Sequence, residues 1–280
     1  MTGNRARRLG VFASAVAILA VLATASALTA VSAGDDAPRF KALVFTKTAA
    51  FRHDSIPRAI AAVQKLGADH DFAVDATEDA TAFNRANLAQ YDVVIFLLTT
   101  GDVLNDVQQA AFERYIEAGG GYTGIHSASD TEYDWPWYGG LVGAYFRDHP
   151  GVAGVNQQFQ EATMKVAGRS NPANAALPTR WTRTEEWYNF RTNPRPAVRV
   201  LTAVDEKTYD PRGYSVPGGS PGMGEDHPIS WCHAYDGGRA FYTALGHSET
   251  AYSEPLVLAH ILGGIEQTAG VARFNCDPDG

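Results

Sequence analysis

The chain has 280 residues, 45% of them apolar and 19% charged, with 23 Lys and Arg against 31 Asp and Glu for a formal charge of −8. That length and apolar content suit one large α/β domain. So acidic a surface repels phosphate backbones and anionic headgroups, which argues against nucleic acid or a membrane surface as partner.

Residues 1–33 read as an export signal. Arg5, Arg7 and Arg8 precede a small-residue apolar stretch from Val11 to Ala30, and Val31, Ser32 and Ala33 supply small side chains for cleavage. Cleavage removes three basic residues and no acidic one, and predicts a secreted or extracytoplasmic protein with no membrane anchor after processing. Residues 34–39 then form a short linker, 40–270 a single domain and 271–280 a C-terminal tail.

Residues 41–47 (KALVFTK) have the β-branched and apolar content of a buried strand. Asp54 or Ser55 is placed to cap a following helix, with Pro57 in its first turn. Ile56, Ile60, Val63 and Leu66 recur at helical spacing, and Gly67 is expected to end the run. A short strand follows over 72–76. Residues 91–98 (YDVVIFLL) are the continuous apolar run of a strand covered on both faces. A helix over 105–118, closed by Gly119, leads into a strand over 121–125. This alternation predicts a mostly parallel sheet flanked by helices. Right-handed crossovers gather the strand ends at Lys47, Thr99 and His126 on one rim, each followed by polar residues. Open α/β sheets place their ligands on that rim.

The second half adds antiparallel strands. Residues 157–166 alternate polar and apolar, and further strands are expected over 198–204, 229–235 and 239–245. Asp236, Gly237 and Gly238 make a tight turn between the last two. The Gly- and Pro-rich stretch 211–226 is a long loop with the character of a lid, and 254–267 is a closing helix with Pro255 at its first position. The two cysteines, Cys232 and Cys276, suggest one disulfide in an exported protein, tying the tail to the strand of Cys232.

Five motifs in order, FRHDS at 51–55, GGGYTGIHSASD at 119–130, FRDHP at 146–150, EEWY at 185–188 and GRAFYTALGH at 238–247, give the chain a resemblance to the ThuA-like family (trehalose-utilisation protein ThuA). The resemblance spans residues 40–269 and implies a class I glutamine amidotransferase-like fold and work on a sugar or oxidised sugar. One departure matters. The amidotransferase nucleophile is a cysteine in a strand-to-turn elbow, and that elbow here reads Gly124, Ile125, His126, Ser127. Without a thiolate the thioester route is closed, so Cys-dependent glutaminase activity is not expected.

The candidate catalytic residues are His126, Glu186, His53 and His247. His126 sits at the elbow, suited either to acid/base chemistry or metal ligation, or simply to stiffening the turn. His53 and His247 lie at two other strand ends. Glu185 and Glu186 occupy successive strand positions, so only one enters the cleft; the family match selects Glu186. His53, His126 and His247 are also metal candidates, for a divalent ion such as zinc, although no His-x-x-x-His spacing is present and each comes from a separate strand end. Asp148 with Glu186 is an alternative, glycosidase-like carboxylate pair. His149 and His227 each precede a proline and read as loop and strand-start residues; His70, His233 and His260 read as structural. Asp130, Tyr133, Trp135 and Trp187 are candidate sugar contacts, the competing role for the aromatics being core packing. No nucleotide fingerprint is present, and the expected partner is a small-molecule carbohydrate. Two functions remain open: a hydrolase or isomerase acting on a glycoside or keto-sugar by His/Glu chemistry, and a non-catalytic sugar-binding or interaction domain.

Overall fold

The computed structural model describes residues 1–3 and 37–278. The export-signal segment expected over 1–33 therefore lies, beyond its first three residues, outside the described residues. The elements in order are β1 (Lys41–Phe45), α1 (Ile56–His70), β2 (Ala73–Thr77), α2 (Arg85–Leu88), β3 (Val93–Leu97), α3 (Asp106–Glu117), β4 (Gly121–Ile125) and α4 (Pro136–Val142). They continue with β5 (Phe146–Asp148), β6 (Phe159–Val166), β7 (Arg180–Glu186), β8 (Asn189–Phe190), β9 (Arg199–Val204), β10 (Pro228–Tyr235), β11 (Gly238–Thr243) and α5 (Pro255–Ala269). No helix among the described residues is long and apolar enough to cross a membrane.

Nine strands form one mixed sheet in the order β2-β1-β3-β4-β11-β10-β9-β6-β7. The expected parallel half is present: β1 pairs in parallel with β2 and β3, and β3 with β4. β11, read from sequence as part of the antiparallel extension, also pairs in parallel with β4. From β11 onward the pairings are antiparallel. A two-stranded ribbon of β5 and β8 stands apart from the main sheet.

Successive residues of β4 show why helices cover both faces. Tyr122 points one way, its hydroxyl 2.8 Å from that of Tyr138 on α4, while Thr123 points the other, 2.8 Å from the Thr268 hydroxyl on α5. On the Tyr122 face, Phe45, Phe83, Phe96 and Phe112 build an aromatic core with ring centroids 4.6–5.7 Å apart. All five residues of β3 are buried, as its unbroken apolar run requires.

Three local expectations are corrected. Gly67 does not end α1; the helix runs to His70 and stops at Asp71, which adopts the left-handed conformation at φ 61°. Gly67 is small because the helix lies against the next strand there, and a Cβ would come within 2.6 Å of the Phe72 carbonyl. Ser55 occupies the N-cap position but makes no side-chain cap; its hydroxyl donates instead to the His247 carbonyl at 2.7 Å. A further strand, β7, begins at Arg180, ends on the Glu185–Glu186 dipeptide and forms the far edge of the sheet.

Cys232 on β10 and Cys276 in the tail form a disulfide closing a separation of 44 residues. In the chain-entropy model such a closure stabilises by about 4 kcal/mol. Replacing both cysteines with serine is expected to lower the urea midpoint by a corresponding few kcal/mol of stability while leaving the distant strand-end cluster intact. An unchanged midpoint contradicts this.

His260 gives a pH prediction. Its ring is fully buried, with Nδ1 donating to the Ala173 carbonyl at 2.9 Å, and burial drives its pKa down to about 4. An unfolded histidine titrates near ~6.5. Between those values the unfolded chain binds a proton that the native state refuses, so stability falls as pH drops, by about 2 kcal/mol between roughly pH 7 and pH 5. His260→Leu is expected to shrink that difference; urea melts at the two pH values measure it, and equal pH dependence in both proteins rejects the assignment.

Candidate functional site

Three of the candidate histidines sit at carboxyl ends of parallel strands. His53 lies in the loop after β1, held by the Thr100 hydroxyl, which donates to the Phe51 carbonyl at 2.7 Å. His126 follows β4 directly and adopts φ 53°, a left-handed conformation uncommon for a residue with a side chain. That bend turns the chain off the strand and leaves the imidazole beneath the rim. His247 follows β11 after Gly246, whose φ of 114° and 2.7 Å clearance to the Tyr252 hydroxyl exclude a larger residue. Glu185 braces the same turn, accepting from the Gly246 amide at 3.1 Å and pairing with Arg183 at 3.0 Å.

Glu186 arrives from β7, at the opposite edge of the sheet, and the side chains meet. Glu186 Oε2 lies 2.8 Å from His247 Nδ1 and 3.2 Å from His126 Nε2, and those two nitrogens are 3.1 Å apart. His126 Nδ1 is 2.7 Å from the Ala244 carbonyl, which only accepts, so Nδ1 carries a hydrogen, and in the neutral ring Nε2 turns its lone pair inward. One shared proton cannot satisfy three such atoms. His53 joins them with its ring centroid 5.0 Å from His126 and 4.8 Å from His247; its buried Nδ1 has no hydrogen-bond partner. Burial, reinforced by the neighbouring imidazoles, lowers the His53 pKa to about 2, which keeps the ring neutral. Burial alone raises the Glu186 carboxyl, but protons donated to it from His126 Nε2 and His247 Nδ1 outweigh burial and hold the group far below the usual carboxylate range, and a cation would take the place of those protons.

One ligand-type atom from each of His53, His126, Glu186 and His247 lies within 4.8 Å of the other three. The spacings of 2.8–3.2 Å among His126, His247 and Glu186 approach the ~3.4 Å expected of ligand atoms around an ion with ~2.1 Å bonds. Inward lone pairs, a buried unpartnered nitrogen and a neutral imidazole are what a cation needs. This cluster can hold a metal ion.

A cavity of about 190 Å³ opens above the cluster, lined by His53, Asp130, Phe146, His149, Glu186, Tyr188 and His247 among others. Asp130 lines it, and one of its oxygens accepts from the Tyr133 hydroxyl at 2.6 Å. Burial raises the Asp130 pKa, against the lowering effect of that hydrogen bond. Arg191 lies 3.9 Å over the Tyr133 ring and fixes it.

The structure redistributes several expected roles. His126 is fully buried and does not line the cavity, so it supports the cluster from below instead of facing a substrate. His149, read as a loop residue, brings Nε2 to 3.2 Å from Glu186 Oε1, which also accepts from Gln158. Asp148 is not a partner for Glu186. Its carboxylate is fully buried and accepts from Asn189 at 2.8 Å and from the Ser220 hydroxyl, clamping the loop 211–226. Tyr133 reaches the cavity only through Asp130. Trp135 stacks on Trp137 and Tyr138 and donates to Glu113 at 3.0 Å, and Trp187 is fully buried, donating to the Gln160 carbonyl at 2.8 Å. Both indoles belong to the core because their N–H groups find partners there. His227, His233 and His260 do not line the cavity and bond to the backbone carbonyls of Tyr188, Leu141 and Ala173. Phe146, Gln158, Tyr188 and Tyr214 line the cavity without having been singled out in the sequence. Of these, Phe146 and Tyr188 lie within two of the five motifs, and that was the available signal.

The family described as ThuA, trehalose utilisation, matches residues 41–268. Among solved structures, a ThuA-like protein from Bacteroides uniformis aligns at a TM-score of 0.67 and 24% identity, over 83% of this chain and 92% of that one. A ThuA-like protein from Parabacteroides merdae aligns at 0.61 and 18% identity, over 82% and 90% of the two chains. At these identities the two structures speak for the fold alone. No curated protein matches the sequence.

Protein purified without chelators is expected to carry about one divalent ion per chain, detected by elemental analysis. Glu186→Gln and His126→Ala are expected to lose it, and added ion to raise the melting temperature of the native protein only, since a ligand of the folded state stabilises it. Equal metal content in all three proteins contradicts the assignment.

Proposed function

The chain belongs to the ThuA family, and from that premise we propose that it is a metal-dependent enzyme acting on a glycoside or keto-sugar. The observation that carries this reading is the convergence of His53, His126, Glu186 and His247 beneath a cavity sized for a sugar ring. A divalent ion held by these four residues supplies Lewis acidity toward a carbonyl or hydroxyl oxygen.

Once Glu186 is committed to the cluster, the acid/base role expected of it passes to Asp130. Asp130 lines the cavity, Tyr133 fixes its orientation, and its raised pKa suits a group that both takes and returns a proton. Tyr188 and Phe146 offer ring surfaces to the apolar side of a sugar, their centroids 4.3 Å apart. Glu186 stays ionised, and His149 bears on its second oxygen.

The finer fold assignment, to the class I glutamine amidotransferase-like group, is part of this proposal. It is supported by the parallel half of the sheet and by the left-handed residue directly after β4, where an imidazole stands in place of a thiol. Both cysteines are taken up in the disulfide, which argues against thiol chemistry and fits the export signal and extracytoplasmic location read from the N-terminal segment.

The test is turnover of a panel of glycosides and their 3-keto derivatives by protein with and without its ion. Conversion is expected only with the ion present. Asp130→Asn is expected to lower kcat by about 10²–10⁴-fold with metal content unchanged. If the metal-loaded native protein binds these sugars but converts none, the non-catalytic reading replaces this one.

A further inference from the structure

Three aromatic side chains are exposed among the described residues: Phe51 and Tyr214 line the cavity above the cluster, and Phe159 borders an adjoining groove while packing on His247. Phe51 is 62% exposed, Phe159 42% and Tyr214 49%. They come from separate parts of the chain: the loop after β1, the first residue of β6, and the loop 211–226. Each packs roughly perpendicular to a different imidazole of the site. Phe51 lies 4.8 Å from His53, Phe159 5.0 Å from His247 and Tyr214 4.8 Å from His149, centroid to centroid. Large apolar rings left in water at this one place, while the other aromatics are buried or partly buried, need an explanation. The imidazoles fix where these rings stand but leave their outer surfaces uncovered.

The cavity beneath them, at about 190 Å³, falls short of the roughly 300 Å³ at which pockets for drug-sized ligands begin. It has space for one sugar ring. A second ring joined to the first must emerge through the mouth, onto the aromatics. Phe159 also borders an open groove lined by Trp181, Thr182, Thr184 and Ser248, which presents hydroxyl groups beside an aromatic face. Apolar surface for ring C–H groups with hydroxyls alongside is the chemistry that recognises a sugar.

We propose that this rim is a second sugar subsite. The substrate is then a glycoside that inserts one ring into the cavity while its adjoining ring lies outside on Phe51, Phe159 and Tyr214. The proposal rests on the carbohydrate reading above and adds which part of the substrate binds where.

The experiment is calorimetric titration of metal-loaded protein with D-glucose, trehalose, maltose and cellobiose. At least one disaccharide is expected to bind about tenfold more tightly than glucose, within the range that aromatic contacts supply. In the triple variant Phe51→Ala, Phe159→Ala, Tyr214→Ala that preference is expected to fall to within about twofold, with metal content unchanged. Because all three side chains are exposed, the variant retains the core, and its melting temperature verifies folding. Disaccharides binding no better than glucose to native protein overturn the second subsite alone, as does a preference that survives the triple variant. If the protein holds its metal yet binds none of the four sugars, the carbohydrate reading fails and the subsite with it.

Discussion

A carboxylate enclosed by imidazoles is the constraint that organises this molecule. An ionised Glu186 removed from water carries a large desolvation penalty unless positive charge or hydrogen-bond donors surround it, and here they come from the other half of the fold. His53, His126 and His247 belong to the parallel strands, and Glu186 ends the last antiparallel one. In the sheet β7 stands four places from β11, which in a flat sheet separates them by about 19 Å. Yet Glu186 Oε2 lies 2.8 Å from His247 Nδ1. The sheet must coil until its outer edge returns over the carboxyl ends of its centre, so the antiparallel extension completes the site as well as widening the core.

Around that meeting point, buried polar groups fix the parts that carry it. Ser55 at the start of α1 holds the His247 carbonyl, Glu185 holds the Gly246 amide, and Thr100 holds the loop of His53. Asp148 does the same for the loop 211–226, its burial offset by Ser215, Ser220 and Asn189, which keep the carboxyl low. Supporting contacts of this kind set the orientation of ligating side chains, and their loss weakens a site without touching it.

Most of the parallel half was legible because buried strands write long apolar runs and helices write periodicity. The rim followed from topology for His53 and His126, whereas His247 was named only from its strand-end position, because the parallel pairing of β11 with β4 leaves no mark in the sequence. Glu186 could be separated from Glu185 only with the family motif, because alternation says that one of two enters without saying which. His149 escaped because β5 has three residues and pairs with a two-residue β8, too short for any period to show. Trp135 and Trp187 misled for a different reason. An indole beside a carboxylate looks the same in sequence whether it faces a sugar or a core carbonyl, and only the partners of Nε1 decide. The same holds for Asp148, whose hydrogen-bond partners other than Arg147 lie at least 41 residues away along the chain.

The backbone at His126 has one more implication. With φ at 53°, the bend after β4 tolerates an unbranched side chain and penalises valine, isoleucine or threonine. The backbone asks nothing else of that residue, so the bend by itself accepts any unbranched side chain. What selects the imidazole is its surroundings, with Nδ1 on the Ala244 carbonyl and Nε2 in the cluster. Exchanging this one side chain therefore keeps the turn and empties the centre it was built to fill.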